Sequence, residues 1–454
     1  MTAAGALLDA RAQRTVLVGM VAYLALGAFE ALAVSTAMPT VAAELDGLRL
    51  YTYAFAASSA AAVVGMLAAG RWTDRRGPAA PLRVGIGLFL AGLLVAGLAP
   101  SMPVLLAGRT LQGLGTGMEG VAFYVLVARV FPEQRRATVF AWFAAAWVVP
   151  GVVGPLVAGV VTQYLGWRWV FLAVPVLAVP ALLALRPGLA AARDAWSGPD
   201  GAAAAAYAAG TGRGAWRDVV RPVLHGARGL GTVVLVRALV AAAFVGAEVL
   251  LPLALTRERG LAPTFAGAVL TLHVLGWSAG SWLRGRGLGG LTHAGFLRLG
   301  AASLAAGTAG VALLTVPGVP LPVAAAPWVL GGLGMGLSYP TLNLLVLELA
   351  PASAQGAAMS ALQVADALAS ALALTGTGAL LWALHDRVGV AAYAACLALA
   401  AALALAPGAL SGRTRPSGRV GPGPGVTTGV TNSLAVSSRR RDAADEDAVP
   451  ARSS

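Results

Sequence analysis

Charge is what this sequence has least of. Only 11% of its 454 residues are Asp, Glu, Lys or Arg, and 58% are hydrophobic. A soluble domain carries about a quarter charged residues, and a water-facing surface of this size cannot be assembled from so few. A soluble enzyme, a disordered chain and a nucleic-acid-binding module are all excluded on that ground. Lysine is absent, so all 32 basic residues are Arg. Cysteine occurs once, at Cys396 within an apolar run, so no intrachain disulfide can form. The four histidines (His225, His273, His293, His385) are scattered, and no Cys/His group has the spacing of metal ligands. No cofactor is expected. There is no Gly-rich loop closing on Lys-Ser/Thr, which points away from nucleotide as energy source, and no nucleophile–His pairing that would suggest an enzyme.

Long apolar runs fill the chain instead. Crossing a bilayer takes about 20 mostly apolar residues, and twelve stretches qualify. They begin near Thr15, Thr52, Leu82, Pro103, Ala137, Trp169, Val233, Pro263, Leu297, Ala326, Gly356 and Val388. The first follows a polar start without a small-residue cleavage site and is read as a retained membrane helix. The pattern divides the chain into a short start (1–14), six helices (15–185), a linker (186–232), six helices (233–410) and a tail (411–454). The linker's alanine run, Ala202–Ala206, is too short to span. The tail lacks apolar periodicity and is expected to be disordered. The predicted fold is an all-α integral membrane protein with twelve transmembrane helices in two pseudo-symmetric six-helix bundles. With the N-terminus inside, 25 of the 32 Arg fall on inner segments and five on outer loops. The positive-inside bias therefore predicts a multi-pass protein of the cell membrane with both termini in the cytoplasm, and explains the net charge of +13 without nucleic acid.

The two halves repeat one another. Leu111-Gln-Gly-Leu-Gly-Thr-Gly117 matches Leu330-Gly-Gly-Leu-Gly-Met-Gly336 at an offset that persists to Pro132 and Pro351. Gly70-Arg-Trp-Thr-Asp-Arg-Arg-Gly77 likewise matches Gly280-Ser-Trp-Leu-Arg-Gly-Arg-Gly287. Six is an even number of crossings, so the halves share one orientation and a substrate path is expected between them, with rocking to give alternating access.

On these residues the chain resembles the major facilitator superfamily, and within it the drug:proton antiporter branch. Gly70–Gly77 is similar to the loop 2–3 signature, and Arg109-Thr-Leu-Gln112-Gly113-Leu-Gly115 to the helix 4 signature. Gly154-Pro155-Leu-Val-Ala158-Gly159 is similar to the antiporter signature of helix 5, with Pro150 and Ala158 where Gly is typical. Glu30-Ala-Leu-Ala-Val-Ser-Thr-Ala-Met-Pro39 resembles the helix 1 signature, and Gly166-Trp-Arg-Trp-Val-Phe171 the entry to helix 6. The resemblance implies a proton-coupled exporter of small lipophilic or cationic compounds. The alternatives are a proton-coupled uptake symporter and a non-transporting receptor or scaffold. Its expected partners are a small-molecule substrate, protons and the lipid bilayer, and it is expected to act as a monomer. Asp74, Arg75 and Gly77 would then form a charge lock on the cytoplasmic face. Gly154 and Pro155 would form a hinge or a tight seam against the other half.

Ionisable groups inside a span are costly, about 2.5–3.5 kcal/mol each on insertion scales. By helical rise, Glu30 and Arg109 lie at matching depths of roughly 22 and 21 Å from the inner face. They are expected to face one another, with protonation of the carboxyl releasing the pair; Gln112 belongs to the same signature. Glu248 is the repeat counterpart of Glu30 without a matching Arg, making it a candidate proton carrier or binder of a cationic substrate. Asp366 is expected at the bilayer centre with Gln363 on the same helix face. Three such carboxylates against one Arg favour cationic or neutral lipophilic substrates. Glu119 is expected near the inner end of helix 4, pairing with Arg75 or Arg129 or taking part in transport. Arg237 is expected to snorkel to the inner headgroups, and Glu348 to be interfacial. Tyr23, Phe29, Phe123, Tyr124, Trp147, Phe244 and Tyr339 could line a substrate path. Trp167 and Trp169 read as outer-interface belt residues.

Overall fold

The computed structural model describes residues 8–194, 228–287, 290–350 and 355–415, all helix and connecting turn. The first half comprises α1 (Ala10–Glu44), α2 (Tyr51–Arg76), α3 (Ala79–Gly97), α4 (Met102–Val130), α5 (Glu133–Ala145), α6 (Val148–Tyr164) and α7 (Arg168–Asp194). The second comprises α8 (Leu230–Glu248), the short α9 (Leu250–Leu253), α10 (Pro263–Arg286) and α11 (His293–Gly310). It continues with the short α12 (Leu321–Ala325), α13 (Trp328–Leu349), α14 (Gln355–Val388) and α15 (Ala391–Leu410). Among the described residues eleven helical stretches are long and apolar enough to cross a membrane. Several of these are composite, among them α5 with α6, α8 with α9 and the following π turn (Ala254–Glu258), and α12 with α13. The twelfth passage is α10. Its 24 residues give about 36 Å of helix, but His273, Ser278, Ser281 and two Arg make it less apolar, and α13 and α6 pack against it. Twelve passages place both ends of the bundle on one face, called here the terminal face; the other is the far face.

The repeat in sequence is a repeat in packing. In the first half α4 lies against α2 and α3, α7 against α1 and α3, and α6 against α1. In the second, α13 lies against α10 and α11, α15 against α8 and α11, and α14 against α8, which is the same arrangement one half later. The glycines of the repeated segment explain the closest crossings. A Cβ on Gly113 would overlap the Ser58 carbonyl of α2, and one on Gly332 the His273 carbonyl of α10. Gly117 and Gly336 stand in the same relation to Ala62 and Trp277. Small residues let helix backbones approach where lipid offers no hydrophobic drive to association. The second repeated segment ends helices: Gly77 (φ 73°) closes α2 and Gly287 (φ 68°) closes α10, a conformation that costs glycine nothing.

The halves meet through α6 on α10 and α2 on α14, which are themselves equivalent pairs. Four hydrogen bonds cross between the halves among the described residues. Tyr51 donates to the Val249 carbonyl (2.8 Å), Thr264 to Gln163 (2.8 Å), Thr271 to the Val152 carbonyl (3.3 Å) and Arg49 to Asp386 (3.5 Å). All four lie between the far face and mid-depth. On the far face Arg259 also pins the connection after α11, donating to the carbonyls of Leu313, Leu314, Val316 and Val319 at 2.7–3.0 Å.

Two expected boundaries shift. The segment read as linker from Arg186 begins as helix, because α7 continues across Pro187 and Gly188 to Asp194, where Leu189–Ala192 are good helix formers; residues 195–227 lie outside the described residues. The segment read as tail from Ser411 begins folded. Ser411–Thr414 form a 3-10 turn, the Ser411 hydroxyl accepts from Arg298 Nε (3.0 Å), and the Arg413 carbonyl accepts from the Gly229 N–H (2.9 Å). Residues 416–454 lie outside the described residues.

Gly113→Val and Gly332→Val should each destabilise the fold by about 1–3 kcal/mol, the usual range for overpacking. Gly120→Val, on an open face of α4 with nothing within 4 Å, should not. Thermal unfolding of the detergent-solubilised protein checks this.

Candidate functional site

Glu30 on α1 and Arg109 and Gln112 on α4 form a closed triangle. Arg109 and Gln112 are three apart on one helix and so share a face, and the glycine-lined approach of α4 to α3 sets that helix deep in the half. Arg109 Nη1 donates to Glu30 Oε1 and to Gln112 Oε1, both at 2.8 Å, while Gln112 Nε2 donates to the same Glu30 oxygen at 2.9 Å. All three side chains are buried. The geometry holds an ionised carboxylate at membrane depth with two donors on one oxygen, and adding a proton there would remove the reason for that arrangement.

Glu119 does not sit at an interface with Arg75. It is buried, and it accepts a 2.7 Å hydrogen bond from Tyr23 of α1, whose ring packs on Phe89 and Phe123. It lies ten residues beyond Arg109, and the face it shares with Phe123 is turned into the half rather than to the headgroups.

The second half holds its own cluster, and here the structure corrects the expectation for Arg237. Its side chain is 6% exposed and points inward, donating to Asp366 Oδ2 at 3.0 Å and to Gln363 Oε1 at 3.5 Å. The guanidinium lies 3.3 Å from the Tyr339 ring centroid, and Tyr339 donates its hydroxyl to Asp366 Oδ1 at 3.0 Å. The cause is the length of the side chain. Arg237 is roughly 10 Å into α8 and Asp366 roughly 16 Å into α14, two helices rising from the same face; an extended Arg stem covers the difference. A guanidinium so placed gains more from a carboxylate and an aromatic face than from distant headgroups.

Glu248 is not alone either. His273 Nε2 of α10 lies 3.7 Å from its Oε1. Phe244, one turn earlier, stacks on Trp328 (5.4 Å, 6°) and meets His273 and Trp277, and Trp277 meets Tyr339. The sequence spacing of His273 carries no sign of this, although its depth does: ten residues into α10, about 15 Å, it is an intramembrane ionisable group and so a site candidate in its own right. Arg237 adds a second Arg inside the spans and buried Glu119 a fourth acid, so Glu30, Glu119, Glu248 and Asp366 still outnumber Arg109 and Arg237.

The remaining candidates separate. Gly154 faces Phe29 and Leu32 of its own half, with the Phe29 ring carbon 3.5 Å from where a Cβ would stand, while Pro155 meets Gly267 of α10 so closely that a Cβ on that glycine would overlap the Pro155 carbonyl. Arg75 is exposed at the end of α2 and Gly77 terminates that helix; the Asp74 side chain lies outside the described residues. Arg284, the counterpart of Asp74, donates to Thr341 (2.8 Å) and lies over Phe296. Trp167 is no belt residue: it is buried and donates to Glu44 (2.8 Å), whereas Trp169 is exposed. Tyr124 and Trp147 are also exposed, while Phe123 and Phe244 are core. Glu348 lies at the terminal face, largely exposed, 3.4 Å from His293. Among the described residues no three His, Cys, Asp or Glu side chains gather as a metal would require.

The sequence profile of the Major Facilitator Superfamily matches residues 15–374. The chain belongs to the Major Facilitator Superfamily. Similar members of this superfamily include an uncharacterised MFS-type transporter of Mycobacterium tuberculosis, 34% identical over 153 residues, covering 33% of this chain and 26% of that protein. Multidrug resistance protein 3 of Bacillus subtilis is 27% identical over 172 residues, covering 38% of this chain and 34% of that one. The matched stretch thus spans about a quarter to a third of these curated relatives. Among solved structures, a D-xylose-proton symporter has the same fold, with a TM-score of 0.60 and 16% identity over 86% of this chain and 96% of that one. The twelve passages, the paired halves and the internal repeat are those of the superfamily's architecture, and it is a superfamily of transporters.

Asp366→Ala should destabilise the protein by about 3–5 kcal/mol, because it leaves the Arg237 guanidinium buried without its carboxylate. The double variant Arg237→Leu/Asp366→Leu should recover a substantial part of that loss. Unfolding midpoints of the single and double variants in detergent check both.

Proposed function

We propose that this protein is a proton-coupled carrier of a small molecule, working by alternating access as a monomer in the cell membrane with both termini in the cytoplasm. The observation that carries the reading is the placement of ionisable groups at mid-depth in both halves. Glu30–Arg109 lies in one, with Arg237–Asp366 and Glu248–His273 in the other. Glu248 and Asp366 keep about a fifth of their side chains accessible (19% and 23%). Intramembrane carboxyls in such positions mark ion and proton pathways. With the Arg-rich face taken as cytoplasmic, the contacts between halves close the outer side, the inward-facing arm of an alternating-access cycle. Residues lining the path would be the six polar groups Glu30, Arg109, Gln112, Glu248, Gln363 and Asp366. Arg75 and Gly77 with Asp74, and Gly154 with Pro155, would govern the change between states.

Two directions fit this coupling. Uptake with protons is supported by the likeness in fold to a D-xylose-proton symporter. Export against protons is supported by the sequence relative named for multidrug resistance and by the Gly154-Pro155 segment. Reconstitution in liposomes under an imposed pH gradient separates them. Sugars, organic acids, lipophilic cations and neutral antibiotics are added in turn while proton flux is recorded. Symport gives substrate and proton movement in the same direction, antiport in opposite directions. Glu30→Gln should abolish proton-coupled flux while the protein still assembles; unchanged coupling refutes the role of Glu30. Binding without flux for every compound would favour a receptor.

A further inference from the structure

Of the four hydrogen bonds that cross between the halves among the described residues, only that from Tyr51 to the Val249 carbonyl is buried. Tyr51 is the first residue of α2, fully buried, with its ring edge-on to Phe55 at 5.6 Å. Its acceptor sits where two helical segments of the seventh passage join, at Val249, itself in helical conformation (φ −63°, ψ −28°). α8 stops at Glu248, α9 starts at Leu250, and Val249 between them shares its N–H between the carbonyls of Val245 and Ala247. A π turn follows at Ala254–Glu258. Departures of this kind from the regular ladder are common at functional positions. The oxygen that Tyr51 holds belongs to the Val249–Leu250 peptide, on the residue next to Glu248.

The Glu248 carboxyl lies 3.7 Å from His273 Nε2 of α10, and Tyr51 of α2 and Tyr339 of α13 are within its electrostatic reach. From α14, Asp366 is engaged by Arg237 of α8, and Tyr393 of α15 is within electrostatic reach of Tyr51. The far-face contact and this carboxyl thus belong to adjacent residues of the seventh passage.

We propose that Tyr51 is a positioning residue that links the Glu248 carboxyl to closure of the far face. Gain of a proton or of a cationic group at Glu248 moves the Glu248–Val249 backbone, withdraws the carbonyl from the Tyr51 hydroxyl and lets α2 part from the seventh passage. The exposed Arg49–Asp386 bridge, with side chains 79% and 68% accessible, contributes little beside it. The assignment rests on the transport reading for its purpose, but not for its test.

Spin labels on Leu165→Cys and Val316→Cys, both exposed on far-face connections, report the separation of the halves in a Cys396→Ala background. Tyr51→Phe should raise the ratio of far-open to far-closed protein about fivefold, the effect of one buried hydrogen bond. Arg49→Ala should change it by less than about twofold. Glu248→Gln should shift the ratio when Tyr51 is present and add nothing once Tyr51 is Phe. Unchanged distances in Tyr51→Phe, or independent additive effects of the two substitutions, would overturn the proposal. Tyr51→Met, which also removes the hydroxyl, replaces the Phe variant if that chain does not assemble. Because distances are read without flux, a protein that transports nothing refutes the carrier reading and leaves this result standing.

Discussion

An ionised side chain inside a bilayer has to find its counter-charge within the protein, and the arrangement of the interior follows from that constraint. Arg109 finds Glu30 with Gln112 as a second acceptor, and Arg237 finds Asp366 with the face of Tyr339 beneath it. Each pair joins two helices, α1 to α4 and α8 to α14, and the first two are joined again by the Tyr23–Glu119 hydrogen bond. A pair of this kind contributes little net stability when intact and costs much when broken. It therefore serves better as a two-state element than as a staple, because any proton or cation that satisfies one partner frees the other.

Close approach of neighbouring helices frames the pairs in each half. Gly113, Gly117, Gly332 and Gly336 let α4 and α13 sit almost backbone to backbone on α2 and α10. The same positions recur in both halves, so the internal repeat is a packing solution used twice. The chemistry is not repeated in the same way. In the first half the Arg is on α4 and the acid on α1, whereas in the second the Arg is on α8 and the acid on α14. Glu248, the formal partner of Glu30, is left to a histidine. Symmetric scaffolding thus carries an asymmetric arrangement of charge.

Much of this is legible in the order of the amino acids. Thr15, Thr52 and Pro103 open long apolar runs that stand out at a glance, because lipid demands helices of a minimum length and tolerates few charges. Equal depth from helical rise brings Glu30 opposite Arg109 correctly, since both are buried mid-helix and a single distance decides the match. Depth fails for Arg237, whose side chain reaches a full turn beyond its backbone, and for Trp167, whose indole turns inward to Glu44. His273 escapes a reading of spacing because a scattered histidine gains meaning only from the helix that faces it.

The sequence by itself determined that this chain spans a membrane, how often, and that it does so as two related halves, because hydrophobic length, Arg bias and glycine spacing act locally along the chain. Only the tertiary structure decided which charges meet, which face is closed, and that Tyr51 reaches the peptide beside Glu248. Those outcomes depend on the rotation and tilt of each helix about its neighbours. Contacts between residues about two hundred positions apart set them, and no local pattern encodes them.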